Sequence, residues 1–294
     1  MAKNSTILSL AIILLLSSAA HGQFYKHKYN TKKPSEADKF EKTQWWLGFK
    51  AGANLTEPNV SQQYYGFSPV NYPASDLDKN YDSWDKLGGQ AGLEITFYHQ
   101  GFSFSFQPNY RRQSFSYSNT YQWLSAENAA NSIDLKYEYN HKLDYVELPL
   151  IIKYDILKGS KFRPFVQVGG YYATLTNANK QIEISGTDYA SGNAGPFENQ
   201  QLIIGAKDLF IKSSVGILGG VGVAYDFWNI RLVFDASYKH GLNNIADQKN
   251  RYAENQLSGL GDALDDIQLN NLSFNFGALF PLRFISSEGH NAVR

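Results

Sequence analysis

The sequence has no cysteine among its 294 residues and only one methionine. Disulfides, thiolate metal sites and cysteine nucleophiles are therefore excluded. The chain also lacks an excess of charge of either sign, because 27 lysines and arginines are matched by 27 aspartates and glutamates. This balance gives no indication of a nucleic-acid partner.

Long hydrophobic runs are scarce as well. The one near the start, Ile7–Leu16, follows Lys3 and precedes the small residues Ala20 and Gly22. That order is typical of a secretory signal peptide, and the run is shorter than the about 20 apolar residues of an anchor helix. We predict a cleaved signal peptide at 1–22 and export through the Sec pathway. No later segment offers 18 consecutive apolar residues, so no transmembrane helix is expected in the mature chain.

Aromatic residues and glycine are abundant, with 20 Tyr, 19 Phe and 24 Gly. This enrichment favours strands over helices. Residues 23–43 are polar and rich in lysine, which predicts a flexible periplasmic lead-in. From residue 44 the pattern changes to an alternation of apolar and polar residues, which is the period of a β-strand.

The stretch LDYVELPLIIKYDI shows this alternation well. Val146, Leu148, Leu150 and Ile152 would lie on one face, whereas Glu147 and Lys153 would lie on the other. Seven other segments alternate in the same way. The predicted strands lie near residues 45–55, 90–98, 102–112, 133–156, 162–175, 214–225, 230–239 and 271–284.

The connections between these strands alternate between long and short, beginning with a long one. An outer-membrane barrel has short periplasmic turns and longer extracellular loops, and an even number of strands closes the sheet without edges. The sequence therefore predicts an all-β fold, an eight-stranded antiparallel up-and-down transmembrane β-barrel with long extracellular loops. It would span residues 44–284, and 285–294 would form a short C-terminal tail.

Alternation alone does not tell which face points inward. A secreted β-sandwich or a lipocalin-like barrel would bury the apolar face, whereas a membrane barrel would turn it to lipid. The near absence of charge from one face of all eight strands favours lipid. The opposite face carries Lys50, Glu94, Arg111, Glu147, Lys153, Arg231, Asp235 and Lys239.

These charges are predicted to fill the lumen as a packed polar plug, because an eight-stranded barrel is just wide enough for its own side chains. A narrow ion or proton path is the alternative interpretation. Aromatic girdles are expected near the strand ends. The predicted girdle residues are Trp45, Tyr98, Tyr110, Tyr154, Tyr172, Tyr225, Tyr238 and Phe284.

Candidate catalytic residues are few. His240 would lie at the outer rim, where a lipid A-modifying enzyme could use it, but no oriented acid and nucleophile surround it in YKHGLNN. His27, His99 and His141 lack metal-ligand spacing, and GILGGVGVAY sits within a strand, unlike a dinucleotide-binding loop. We predict a non-enzymatic protein without a cofactor or metal. The long loops are the better place for binding, and LSGLGDALDDIQL could form a short amphipathic helix.

Several of these stretches are similar to one known family. YVELPLIIKYDI, RPFVQVGGYYATL, GILGGVGVAYDF and SYKHGLNNI resemble the PorT-like outer-membrane β-barrel family of Bacteroidota, and GFKAGANL resembles its first strand. The resemblance implies a barrel in a Gram-negative outer membrane, in contact with its lipid. The namesake of the family is needed for type IX secretion, which exports proteins with a C-terminal sorting domain. Secretion-system or other envelope proteins are then the expected partners. A loop-mediated adhesin or ligand-binding barrel is the alternative function.

Overall fold

The structure is a computed structural model. It describes residues 45–64, 78–125, 131–157, 160–189, 194–196, 200–227, 229–251 and 263–282. The predicted signal peptide, lead-in and tail lie outside these residues. Within them, no helix has the length and apolar character needed to cross a membrane.

The described residues form twelve strands and one short 3-10 helix, Lys207–Leu209. The strands are β1 (Trp45–Gln62), β2 (Asn80–Asp82), β3 (Leu87–His99), β4 (Phe102–Phe106), β5 (Asn109–Leu124), β6 (Ser132–Asp155), β7 (Phe162–Asp188), β8 (Gly195–Pro196), β9 (Gln200–Gly205), β10 (Ser213–Phe227), β11 (Ile230–Gly241) and β12 (Asp266–Pro281).

Eight antiparallel wall strands close into a barrel. Strands β4 and β5 together make one wall strand, and β2, β8 and β9 lie beyond the wall. Each wall strand pairs with its neighbour in the chain, and β12 pairs with β1 from Trp46↔Pro281 to Gln62↔Asp266, which closes the ring. The predicted eight-stranded up-and-down barrel is confirmed.

The gap between β4 and β5 follows from proline. Pro108 has no N–H and cannot donate to a ladder, so the wall strand is interrupted at Gln107 and Pro108. Because the interruption is two residues long, inward-facing and outward-facing residues alternate in the same phase in β4 and β5. Pro149 lies opposite this gap and its carbonyl accepts from the Gln107 N–H at 3.1 Å. The register between β6 and β7 shifts between Asp144 and Tyr145, where Thr176 of β7 is left out of the pairing.

Burial shows which face of the wall points inward. Apolar residues of the outer face are exposed, with Phe49 at 64% and Leu150 at 65%, whereas Glu94 and Glu147 on the inner face are at 0%. A soluble sandwich or lipocalin-like barrel would have the opposite pattern. The outer face is therefore the lipid face, and its apolar band on β7 extends from Phe162 to Tyr172. At about 3.3 Å per residue and a tilt near 40°, that span matches an apolar band about 25 Å tall.

Most of the predicted girdle residues are on this outer face. Trp45, Tyr110, Tyr154, Tyr172, Tyr225 and Tyr238 are among the exposed large side chains. The prediction for Tyr98 is wrong: the side chain is buried inside the barrel, because it follows Glu94 and Thr96 on the inward face of β3. Phe284 lies outside the described residues.

Beyond the membrane band, the wall continues outward as an extracellular sheet. Strands β5, β6 and β7 extend to Leu124, Ser132 and Asp188, and β2 and β9 add to their two sides. The sequence had left the regions near 116–132 and 176–209 between its predicted strands. Their described residues are largely strand, since 116–124, 176–188 and 200–205 belong to β5, β7 and β9. The predicted helix in LSGLGDALDDIQL is also wrong where it is described, since β12 begins at Asp266.

The inner side of the extracellular sheet has a hydrophobic core of its own. Tyr117 and Tyr139 stack with ring centroids 4.8 Å apart, and the His141 ring stacks on Phe115 at 4.9 Å. Phe210, which directly follows the 3-10 helix, contacts the same rings at an angle near 80°. The loop residues Ile245 and Leu264, and Ile267 at the start of β12, complete this core. The loops thus form a folded cap over the barrel.

Candidate functional site

Seven of the eight predicted lumen charges lie in two neighbouring groups inside the barrel, and Arg231 belongs to a third. We name the groups by their position along the barrel. The middle group is Lys50, Glu94, Lys153 and Asp235; the upper group, toward the cap, is Arg111, Glu147 and Lys239; the lower group, toward the short turns, is Asp155, Arg163, Asp226 and Arg231.

The middle group pairs two lysines with two carboxylates. The Lys50 ammonium lies 2.5 Å from Asp235 and 3.5 Å from Glu94, and the Lys153 ammonium donates to Glu94 at 2.5 Å. Thr96 also donates to Glu94, at 2.9 Å. Each carboxylate is buried and has at least one cation, as buried charges require.

The upper group contains two cations and one carboxylate. Lys239 donates to Glu147 at 2.8 Å, and Arg111 lies 3.6 Å from the same carboxylate. The Arg111 guanidinium also lies over the rings of Tyr145 and Tyr171, at 5.8 and 5.7 Å. These aromatic faces favour a cation there.

The lower group lies at the end of the barrel with the short turns. Arg231 donates to Asp226 through two nitrogens, at 2.6 and 3.0 Å, and Arg163 lies 3.2 Å from the same aspartate. Asp155 lies 3.7 Å from Arg163. The Arg231 guanidinium stacks over Trp46 at 4.2 Å.

From the sequence, Arg231 was predicted to share the lumen with seven other charges, and Arg163, Asp155 and Asp226 were not among them. All three lie at strand ends beside the short turns, where an inward direction is hard to read from alternation. One signal was available: Asp226 and Arg231 flank the tight turn between β10 and β11 at a spacing of five residues.

Amide side chains surround the middle group. Gln107 accepts from Lys50 at 3.2 Å, Asn275 donates to Asp235 at 2.9 Å, and Gln167 donates to Asp235 at 3.4 Å. One small cavity, of about 30 Å³, remains beside these amides. That space is on the order of two water molecules, so side chains occupy most of the lumen in this region.

His240 lies near the outer end of β11, as predicted. Its Nδ1 contacts the Asn270 side-chain oxygen at 2.7 Å. Across the described residues, no histidine, aspartate and glutamate come together in a group that could hold a metal ion. His99 ends β3, His141 is part of the cap core, and His27 lies outside the described residues.

A polar groove of about 260 Å³ lies on the outward face of the extracellular sheet. The groove is formed where β5, β6 and β7 run side by side: Ser116 pairs with Asn140, which pairs with Gln181. Glu138 stands directly opposite Glu183. The groove is lined by Asp82, Lys86, Ser116, Tyr117, Ser118, Lys136, Glu138, Tyr139, Asn140, Gln181 and Glu183. Sequence reasoning missed this groove because it had interpreted two of these strand regions as loops.

A buried carboxylate anchors the cap. Asp265 accepts from the Tyr81 hydroxyl at 2.6 Å and from the Tyr64 N–H at 2.8 Å, and the Lys79 ammonium lies 3.0 Å away. Burial nevertheless raises the pKa of Asp265 above its ordinary value, against the opposing effect of Lys79. The contacts tie the β12 end of the cap to β1 and β2.

The chain was compared with known structures and protein families. It is similar to neisserial surface protein A (13% identity, covering 81% of this chain and 96% of that one, TM-score 0.31). It is also similar to Ail of Yersinia pestis (10% identity, covering 81% of this chain and 99% of that one, TM-score 0.27). A third similar structure is OprG of Pseudomonas aeruginosa (13% identity, covering 81% of this chain and 95% of that one, TM-score 0.35). A search of curated proteins found no match.

The family comparison covers most of the chain. The model for the outer membrane protein beta-barrel domain matches residues 35–247, which include seven of the eight wall strands. With the closed wall and the outward apolar band, this match places the protein in the outer membrane. The chain belongs to the outer membrane protein beta-barrel domain family.

Proposed function

We propose that this outer-membrane protein is not an enzyme and acts by binding another envelope or extracellular molecule through its extracellular sheet. One observation carries the proposal: the lumen is filled by paired charges, whereas the wall strands continue outward into a sheet with its own packed core. A sheet stabilised in this way presents a fixed surface. Such a surface suits a structural or accessory role in an envelope assembly.

Type IX secretion is the assembly that the sequence resemblance suggests. The stretch resembling the PorT-like family, YVELPLIIKYDI, forms the lipid-facing part of β6, and its neighbour RPFVQVGGYYATL forms the membrane part of β7. We infer that the protein is a PorT-like barrel of Bacteroidota and that its partners are secretion-system or other envelope proteins. Export through the Sec pathway with cleavage of residues 1–22 is part of this proposal, and the mass of the mature protein tests it.

The test is a clean deletion in the native host, followed by mass spectrometry of the secreted proteins. We expect loss of proteins that carry type IX sorting domains, restored by the wild-type gene. Complementation with a variant carrying Gln181→Ala and Glu183→Ala asks whether the outward face of the sheet is needed. An unchanged set of secreted proteins in the deletion strain would end the secretion proposal.

A loop-mediated adhesin or ligand-binding role is the second candidate, and the polar groove favours it. Hydroxyl, amide and carboxylate groups converge there over a volume of about 260 Å³. These groups are suited to hydrogen bonding with sugar hydroxyls. Binding of the purified protein to cell-surface oligosaccharides, weakened by Asn140→Leu and unaffected by Ser185→Ala, would support this role. Ser185 lies on the same face of β7 but does not line the groove.

The lipid A-modifying enzyme is the weakest candidate. His240 contacts an amide oxygen, and a histidine base would need an oriented acid and a nucleophile beside it. We expect a His240→Ala variant to leave the lipid A mass spectrum of the host unchanged. A changed spectrum would contradict the non-enzymatic proposal.

A further inference from the structure

The buried charges of the lumen do not balance. Among the described residues inside the barrel wall, six buried cations face five buried carboxylates. The cations are Lys50, Arg111, Lys153, Arg163, Arg231 and Lys239, and the carboxylates are Glu94, Glu147, Asp155, Asp226 and Asp235. An uncompensated buried charge is costly, so a balancing group is expected.

The excess charge can be located. The lower group has two arginines and two aspartates, and the middle group has two lysines and two carboxylates. The upper group has Arg111 and Lys239 with Glu147 alone. The extra positive charge therefore belongs to the upper group.

The small lumen cavity lies where this charge is found. It is lined by Lys239 from the upper group and by Lys50 and Asp235 from the middle group. The Lys239 ammonium has three hydrogen-bond donors. Among the described residues, it donates one hydrogen bond to Glu147.

Unpartnered polar atoms also line the cavity. The Gln107 side-chain nitrogen is a buried donor without an acceptor, while the side-chain oxygens of Gln90, Asn109 and Gln167 are buried acceptors without a donor. The other end of each amide is already fixed by a bond, for example from Lys50 to the Gln107 oxygen. Native proteins rarely leave such groups unsatisfied, and each needs an explanation.

We propose that the cavity binds one small monovalent anion, of the size of chloride, together with water. The anion accepts hydrogen bonds from the Lys239 ammonium and the Gln107 amide and cancels the excess charge of the upper group. The water donates to two of the three unpartnered amide oxygens. At about 30 Å³ the space has room for a halide and a water.

Thermal unfolding of the purified protein, in detergent at constant ionic strength, tests this proposal. Chloride is exchanged for gluconate, which is too large for the cavity. We expect the unfolding midpoint to rise by about 3–5 °C for each tenfold increase in chloride while the site fills. The variant Lys239→Met keeps the Arg111–Glu147 pair and leaves the upper group neutral, so its midpoint should not depend on chloride.

The matched control is Lys136→Met. It removes a lysine that also pairs with a glutamate, but on the exposed sheet outside the barrel, and should keep the chloride dependence of the wild type. Crystals grown with bromide provide a measurement that does not depend on any variant. An anomalous peak beside Lys239 and Gln107 is expected. Wild-type stability independent of chloride, or a cavity containing only water in bromide crystals, would overturn the proposal.

Discussion

Glu94 holds the middle of the lumen together, and its replacement should destabilise the whole barrel. Its carboxylate is completely buried and accepts from Lys153 and Thr96 at 2.5 and 2.9 Å, with Lys50 at 3.5 Å. The substitution Glu94→Gln keeps the shape of the side chain and removes its charge. Lys50 retains Asp235, but Lys153 loses its carboxylate inside a closed lumen.

The expected cost is large because a charge, not only a contact, is left without compensation. Removing one partner of a buried ion pair typically costs about 3–5 kcal/mol. We therefore expect the free energy of unfolding of Glu94→Gln to fall by about that amount, measured by urea unfolding in phospholipid vesicles. Glu138→Gln is the matched control, because Glu138 also pairs with a lysine but is about half exposed. Its effect should stay within about 0.5 kcal/mol.

A compensating variant separates charge from packing. Glu94→Gln combined with Lys153→Met removes both charges and leaves the Lys50–Asp235 pair intact. The Lys153 side chain lies against the Phe165 ring, so methionine can fill its place. The double variant should recover most of the lost stability, since a buried ion pair can often be replaced by apolar groups at little cost. If Glu94→Gln costs no more than Glu138→Gln, the ion pairs do not hold the lumen closed.

Three further predictions concern the wall and the cap. Val168→Arg, near the middle of the lipid face of β7, should lower the free energy of unfolding in vesicles by about 2–4 kcal/mol. Ser185→Arg, on the extracellular part of the same face, should change it by no more than about 0.5 kcal/mol. Equal costs would contradict the position of the apolar band. Gly169→Ala should cost about 1–3 kcal/mol because its Cβ would lie 2.2 Å from the Leu150 oxygen, and the neighbouring Gly170→Ala, with its nearest contact at 3.5 Å, should be tolerated. Because burial raises the folded-state pKa of Asp265, its contribution to cap stability is fully present below the unfolded-state pKa and is lost as the pH rises through the folded-state pKa. Hydrogen exchange of the cap as a function of pH should show this trend, and Asp265→Asn should remove it.

The wall was predictable because its physics is local and periodic. Alternation at Val146–Ile152 fixes which side chains share a face, and the absence of charge from that face indicates lipid. The inward positions of Glu94, Glu147 and Asp235 follow from the same period. Their partners do not, because Lys50 and Asp235 are 185 residues apart and meet only when the ring closes.

The cap was less predictable because its residues do not follow one simple pattern. In β5, Ser114, Ser116 and Tyr117 are all buried, so the alternation that marks the membrane strands disappears there. The polar residues from 116 onward then resemble a loop, although the structure places 116–124 in β5, with a packed inner side. Tertiary contacts with Phe210, Ile245 and Leu264 determine this structure, and these residues are distant in sequence from β5.

The distribution of buried charge indicates that the barrel and the cap differ in how freely their residues can change. A conduit would need a continuous polar path, but here three successive groups of ion pairs cross the lumen, each held by contacts between different wall strands. Opening such a path would leave several charges without partners, at a cost of several kcal/mol for each. The extracellular sheet has no such restriction: its inner side is packed and its outward face is free to vary. In the proposed binding role, substitutions on that face would change specificity without disturbing the groups that hold the barrel together.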